Sequence, residues 1–412
     1  MRVCVVGGGP AGVGAAAEAA WRGAKVCLLE REEALPPPKP SWAGLVACPK
    51  DEGNVPLDEL QDEGVEVMLG SEASAVGAGM RVCLPRGPKE FDRVVLATGS
   101  AFGALPFPGY RTPGVFVLDR LGAFLQLGRR AGSISRAAVS GEGLIGVEVA
   151  DALSRIGKQV TLFAPGGLSS KLGPRLAPLV EEAAAKRGVL LVDGRVDRAS
   201  GAGRLEAVVS GGRVFPADAL AVIPKQTAAL PRVAAAKDGA GRLKVDRNMR
   251  STDPGLFGAG LCARVEGALV VDGVGSPWAA ASGRIAAANA CGQSLTFAPS
   301  GAVSVTFFGL RYFSAGPTLD AALAAGLDCA EAVALRQPSS SCIIVYERRT
   351  GRTLGVQMVN GSGDEASSLV GVAVSQSLHL RTLAYNLSSS STDITLVSEA
   401  ARQAMSEGAS SW

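Results

Sequence analysis

The sequence predicts an α/β protein: two parallel-sheet units of one design, followed by an α+β C-terminal unit. Three observations carry this. A short apolar run near the start breaks at a glycine-rich turn and gives way to an alanine-rich stretch. The same arrangement returns 134 residues later, and the final part of the chain alternates as paired strands.

In order, Arg2 to Val6 is a β-branched apolar run, which reads as a strand buried on both faces. It stops at Gly7-Gly8-Gly9-Pro10-Ala11-Gly12, where Gly7, Gly9 and Gly12 have GxGxxG spacing. Val13 to Arg22 continues as a helix that Gly23 can stop, and Lys25 to Leu29 is a second strand closing with Glu30 and Arg31. The order has a physical reason. A tight turn at Gly7, no side chain at Gly9 and a small residue at Gly12 let a pyrophosphate reach the free N–H groups at a helix start. Glu30 lies 23 residues past Gly7, close to the roughly 20 at which a carboxylate meets a ribose diol.

The second copy runs from the strand Arg136 to Ser140 through Gly141-Glu142-Gly143-Leu144-Ile145-Gly146 and a helix to Ile156, then Gly157 and the strand Lys158 to Phe163. Gly7 to Gly23 and Gly141 to Gly157 both span 16 residues, so two dinucleotide sites are expected. The copies differ at one place: the position 23 past Gly141 is Ala164. No carboxylate stands there for a ribose, and the segment does not choose between NAD and NADP. Lys171 and Arg175 are candidates for a 2′-phosphate, or ordinary helix-surface charges.

Composition excludes several classes. Of 412 residues 19% are charged, and 41 Lys+Arg against 38 Asp+Glu leave a net charge of +3, which argues against a nucleic-acid partner. Eight cysteines without a CxxC do not make a disulfide scaffold or a zinc ribbon. The single His379 rules out a poly-histidine centre, and no metal is expected. Met1 to Trp21 has the outline of a signal peptide, but Gly7 to Pro10 and Glu18 break it. No run offers the 18 or so apolar residues of a spanning helix, and a cytoplasmic location is expected. Pro36 to Pro38, Ser388 to Ser391 and the tail ending at Trp412 read as loops.

With two such units, the chain resembles the two-dinucleotide-binding-domain flavoproteins, the pyridine nucleotide-disulfide oxidoreductase family. Asp92 to Ser100, containing Ala97-Thr98-Gly99, is similar to the strand and turn that end the family's first FAD segment, and Pro106, Pro108 and Gly109 follow in the same way. Ser251 to Gly260 is similar to its second FAD segment, and Trp278 to Gly292 to the helix after it. Thr318 to Ala322, the strands around Thr350-Gly351 and Glu365 to His379 resemble the dimerisation domain of the coenzyme A-disulfide reductase, NADH oxidase and NADH peroxidase branch. The resemblance implies two Rossmann-like domains: FAD-binding residues 1–108 and 246–296 around an NAD(P)H-binding domain, 109–245. Residues 297–412 would form a C-terminal dimerisation domain, making the protein a homodimer.

It also implies site residues: Gly7, Gly9, Pro10, Ala11, Gly12, Glu30, Arg31, Ala97, Thr98, Gly99, Gly260 and Leu261 for FAD, and Gly141, Gly143, Leu144, Ile145, Gly146 and Glu148 for NAD(P)H. The implied reaction passes hydride from NAD(P)H to flavin and on to an acceptor. Three departures bear on that acceptor. Ser41-Trp42-Ala43 looks like the start of the branch's cysteine segment, yet Leu45 stands where the sulfur should be and Cys48, the catalytic candidate, lies three residues on. Leu261 replaces the usual Asp after the glycine, and Tyr385 to Ser391 has serines where a catalytic tyrosine is expected near a Pro pair. The lone His379 lacks the partners of an acid/base pair and reads as a helix-surface residue. The acceptor is therefore open between a small-molecule or coenzyme A-linked disulfide, reduced through Cys48, and oxygen or an electron carrier such as a ferredoxin or quinone, reduced without it. A nucleotide-binding pseudoenzyme is the third alternative, motivated by Leu261 and Ala164.

Overall fold

Strand Arg2–Val6 lies at the centre of the first sheet, as its unbroken apolar run suggests: Val3 to Val6 are all buried. The structure is a computed structural model and describes residues 1–35, 43–48, 57–102, 107–119, 121–141, 143–224, 226–268, 276–298, 301–336, 340–360, 365–387 and 392–408. Pro36 to Pro38, Ser41, Trp42, Pro106, Glu142, Ser388 to Ser391 and Trp412 lie outside the described residues. The first sheet is parallel, in the order Leu256–Gly258, Arg93–Leu96, Arg2–Val6, Lys25–Leu29, Glu66–Met68. Helix α1 (Pro10–Trp21) begins earlier than the sequence suggests, because Pro10 suits the first helical turn, where an N–H has no partner to lose. Helices α2 (Gly44–Ala47) and α3 (Leu57–Asp62) follow the second strand.

The second sheet repeats the parallel design, in the order Val189–Val192, Gln159–Phe163, Arg136–Gly141, Ala219–Ile223, Val115–Val117. Its helices are α4 (Leu121–Arg130), α5 (Leu144–Arg155) and α6 (Ser169–Lys186), the last bent at Gly173 before Pro174. The chain then returns to the first core. Ala235, Leu243 and Val245 are buried there although they precede residue 246. Helix α7 (Ser276–Ala290) packs along α1.

The C-terminal sheet is antiparallel, in the order Val303–Phe307, Leu310–Ala315, Thr353–Asn360, Ser340–Glu347, Cys329–Arg336. Its strands alternate between two cores. Phe313, Ile344 and Met358 pack with α9 (Glu365–Ser375), α10 (Leu380–Tyr385) and α11 (Thr392–Gly408), while α8 (Leu319–Ala324) covers one end. The neighbouring Tyr312, Ile343 and Val359 join the core of the second sheet.

One hairpin is central to the junction between these two units, beside Ile343, Val359 and the Arg175–Glu331 pair. Phe307 pairs with Leu310 across the two-residue turn Phe308-Gly309, with φ of +53° and +80°. That turn needs left-handed backbone at both central residues, at a cost of about 1–2 kcal/mol for a non-glycine residue. Burying the Phe308 ring among second-sheet residues offsets this by about 2 kcal/mol. The Phe308 N–H also donates to Asp151 Oδ1 on α5, a buried bond of 2.9 Å.

His379 is not a residue on a helix surface, as the sequence suggested. It caps α10, its Nδ1 accepting the Arg381 N–H at 3.0 Å, because the preceding helix α9 already ends at Ser375. Burial, Arg381 and Arg352 together hold its imidazole below the ordinary value. The sign follows: a neutral imidazole caps, so the stability it adds is present above pH of about 6.5 and is lost as pH falls through the lowered value. Melting curves between pH 7.5 and pH 5 are expected to show an acid-side loss that His379→Asn, a cap without a titrating group, reduces by about 1 kcal/mol or less.

Candidate dinucleotide sites

The two glycine turns occupy equivalent places, each leading from the central strand of a parallel sheet into a helix. At the first, Gly12 sits so close to the strand end that a Cβ there would lie 1.7 Å from the Gly7 carbonyl oxygen. At Gly9 the opposite holds: a Cβ would meet nothing within 4 Å. The N-terminus of α1 behind it has no side-chain cap and no acidic residue in its first turn. Open space in front of uncapped N–H groups is what a pyrophosphate requires.

Glu30 is buried at the end of the second strand, its Oε2 accepting the Gly8 N–H at 2.6 Å and its Oε1 the Glu32 N–H at 2.9 Å. The carboxylate thus fixes the turn while standing beside it. Arg31 is exposed and pairs with Glu32. Pro10 and Ala11 form the first turn of α1, and the Ala97 N–H donates to Val6 O at 2.8 Å, which brings Ala97-Thr98-Gly99 alongside Gly7. Thr98 Oγ1 is buried, with the Cys262 thiol beside it and no oxygen or nitrogen partner among the described residues, a state that a ligand atom would relieve. Gly260 completes this wall: its N–H donates to Ser282 Oγ at 2.9 Å, and a Cβ on it would lie 3.0 Å from the Ala11 methyl. Leu261 follows in a short 3₁₀ turn, half-buried, and offers no acceptor. These features fit FAD, with the ribityl chain lacking the carboxylate usually placed there.

At the second turn Gly143 has φ of +130° and caps α5, again without a side-chain bond and with nothing within 4 Å of a Cβ. Gly141 lies against Ile223, and Gly146 is buried beside Gly141 and Leu162; Leu144 and Ile145 are half-buried. A cleft beside this turn is lined by Val147, Leu162, Ala164, Pro165, Gly167 and Leu168, with no charged side chain among the described residues. Arg175 is not available to a 2′-phosphate there, because it pairs with Glu331 of the C-terminal sheet. The side chain of Lys171 lies outside the described residues. Asp193 supports the loop from behind, accepting the Gly166 N–H at 2.7 Å. The turn fits NAD(P)H, and among the described residues no charge beside it discriminates its two forms.

Glu148 is buried on α5, in contrast to a solvated helix charge, and Asp151 lies one turn further on the same side. Asp151 escaped the sequence reading, although an acid three residues after Glu148 on an otherwise apolar helix face is a signal. Among the cysteines, Cys48 is exposed at the end of α2, whose buried residues Leu45 and Val46 pack toward α4 and α5. The structure therefore separates Cys48 from the side of α2 on which Leu45 lies. Burial pushes the Cys4 and Cys262 thiols up and Cys27 up to about 11, which disfavours their thiolates. Among the described residues no helix is long and apolar enough to cross a membrane, and no group of His, Cys, Asp and Glu gathers as a metal site.

Residues 1–289 match the pyridine nucleotide-disulphide oxidoreductase family. The chain is 25% identical over 336 residues to an NADH oxidase of Lactococcus lactis, covering 74% of this chain and 75% of that one. It is 27% identical over 280 residues to a rubredoxin-NAD(+) reductase of Pseudomonas putida, covering 64% and 72%. In fold it is similar to a NAD-dependent persulfide reductase of A. fulgidus, with TM-score 0.86, 22% identity and coverage of 98% and 83%.

Two substitutions test the sites. Gly9→Ala is expected to leave the circular dichroism unchanged, since a Cβ there meets no protein atom within 4 Å, while flavin content falls with a loss of affinity of about tenfold or more. Ala164→Glu is expected to shift the ratio of kcat/KM values toward NADH over NADPH by about tenfold, by supplying a ribose acceptor that repels a 2′-phosphate. Two parallel nucleotide folds, two open glycine turns and a family match over most of the chain meet in one conclusion: the chain belongs to the pyridine nucleotide-disulphide oxidoreductase family and is an FAD-dependent NAD(P)H oxidoreductase.

Proposed function

We propose that this oxidoreductase delivers electrons from the flavin site to its acceptor without a protein thiol. One observation carries the reading: the buried face of α2 presents Leu45 and Val46, and the nearby Cys48 is exposed at the helix end. Cys48 follows the last helical residue, Ala47, in non-helical backbone with φ of −139° and is exposed, while Leu45 is buried, so Cys48 does not substitute for a sulfur at residue 45. FAD, when bound, supplies the hydride-accepting chemistry. The protein's part is to hold the two nucleotides at the helix starts behind Gly9 and Gly143.

The acceptor class that fits is one reduced directly, oxygen or an electron carrier. Relatives named NADH oxidase and rubredoxin-NAD(+) reductase support both members of that class. The site residues are those named above on the two glycine turns, with Glu148 at the nicotinamide end. We further place the chain as a homodimer joined through residues 297–412, a reading supported by the exposed Leu335, Val372 and Tyr385 on that unit. Eight cysteines outside any disulfide, four of them buried in strands, suit the reducing conditions of the cytoplasm.

Cys48→Ser is expected to keep turnover with oxygen or a carrier within about twofold of wild type, a change of under 1 kcal/mol in barrier. Anaerobic titration with dithionite is expected to consume two electrons per flavin and to show no thiolate-to-flavin charge-transfer band. Uptake of four electrons, or loss of disulfide turnover in Cys48→Ser, overturns the reading.

A further inference from the structure

Helix α5 carries more of the molecule than its nucleotide turn. Its N-terminus is the Gly143 turn, one side packs against α2 from the first unit, and the strand Val303–Phe307 from the C-terminal unit packs against it as well. A helix held by three units is placed by whatever fixes its contacts. Asp151, buried on α5 along with Glu148, is 5% exposed, with Oδ1 accepting the Phe308 N–H at 2.9 Å and Oδ2 4.0 Å from Arg155.

The bond is unusual in what it holds. Phe308 is a left-handed residue in a two-residue hairpin turn, so its N–H points away from the strand ladder and toward the helix. Removing the acceptor would leave that buried N–H unpaired in a turn whose backbone is already strained. The hairpin tip would then shift, and the face of α5 resting on it would shift too.

We infer that Asp151 is a positioning residue for hydride transfer: by accepting the Phe308 N–H it sets the place of α5, and with it Gly143 and Glu148, relative to the flavin side. The inference rests on the reading that NAD(P)H docks on the α5 turn. It concerns placement and not binding, because Asp151 stands eight residues from Gly143, about 12 Å along the helix. The N–H groups that meet phosphate stay intact when Asp151 changes. Reacting atoms must come within about 3–3.5 Å, and a displacement of about 1 Å costs on the order of a hundredfold in rate, so a small slip of α5 reaches the rate before it reaches affinity.

Two measurements test this on the full chain. Hydrogen–deuterium exchange, with no nucleotide added, is expected to be faster over residues 303–310 and 144–155 in Asp151→Ala and to return to wild type in Asp151→Asn, whose amide oxygen still accepts the bond. Anaerobic stopped-flow of the flavin-loaded protein is expected to show the limiting reduction rate of Asp151→Ala down by about tenfold or more. Its nucleotide dissociation constant should stay within about threefold, and Asp151→Asn should recover most of the rate. Unchanged exchange, an unchanged limiting rate, or an Asn variant as slow as Ala each overturns the inference. If Asp151→Ala does not fold, Asp151→Glu, which keeps the charge and moves the acceptor by one methylene, is expected to show the same changes in exchange and rate. Wild-type behaviour of that variant is equally fatal. Gly143→Ala separates the two readings. If it leaves NAD(P)H affinity unchanged, the docking assignment fails; if it weakens binding while Asp151→Ala reduces flavin at the normal rate, only the role of Asp151 fails.

Discussion

The close approach of backbones around α1 governs the first unit. A Cβ on Gly12 would lie 1.7 Å from Gly7 O on one side, and a Cβ on Gly283 of α7 would lie 1.9 Å from Ala11 O on the other. The helix is therefore pressed between the strand end and a second helix with no space for side chains at these points. That is where the glycine and alanine excess is used: Ala11, Ala15, Ala16 and Ala19 of α1 and Ala286, Ala287 and Ala290 of α7 are buried together. Small residues give up area per residue, and close packing returns part of it as dispersion between backbones. The same closeness brings the returning segment around Gly260 up against Ala11, so the wall opposite the first turn depends on it.

Much of this was legible in the sequence because its signals are local. Strand, glycine turn and helix follow one another within some two dozen residues, so Arg2–Val6, α1 and Lys25–Leu29 emerge from order alone, and so does the second copy. The paired strands around Gly351 were legible for the same reason. What the sequence concealed is non-local. Nothing near Arg175 shows that it pairs with Glu331, and nothing near Asp151 announces Phe308, 157 residues away. His379 was misplaced because one helix ends and another begins within a stretch whose apolar pattern runs on, and the cap is visible only once both helices are seen.

The candidate sites divide along the same line. The glycines could be named, since each answers a steric demand of its own turn. The behaviour of the carboxylates could not. Glu30 spends both oxygens on backbone N–H groups of its own turn and the next, so it shapes the first site as well as facing it. Cys48 is a further case: its identity suggested chemistry, while the packing of its neighbours Leu45 and Val46 decides which side of a short helix is turned inward.

The pairing of Arg175 with Glu331 ties nucleotide preference to domain docking. Glu331 is 18% exposed in its side chain and has this guanidinium as its ion-pair partner across the two units. An evolutionary path toward NADP(H) that recruited the nearby arginine would withdraw it from that pairing and strand a partly buried acid. New positive charge for a 2′-phosphate is therefore more accessible at the loop after Phe163, Ala164 to Gly167, whose side chains hold no ion pair to break. Cofactor preference in this chain is free to drift there, and held by the architecture at Arg175.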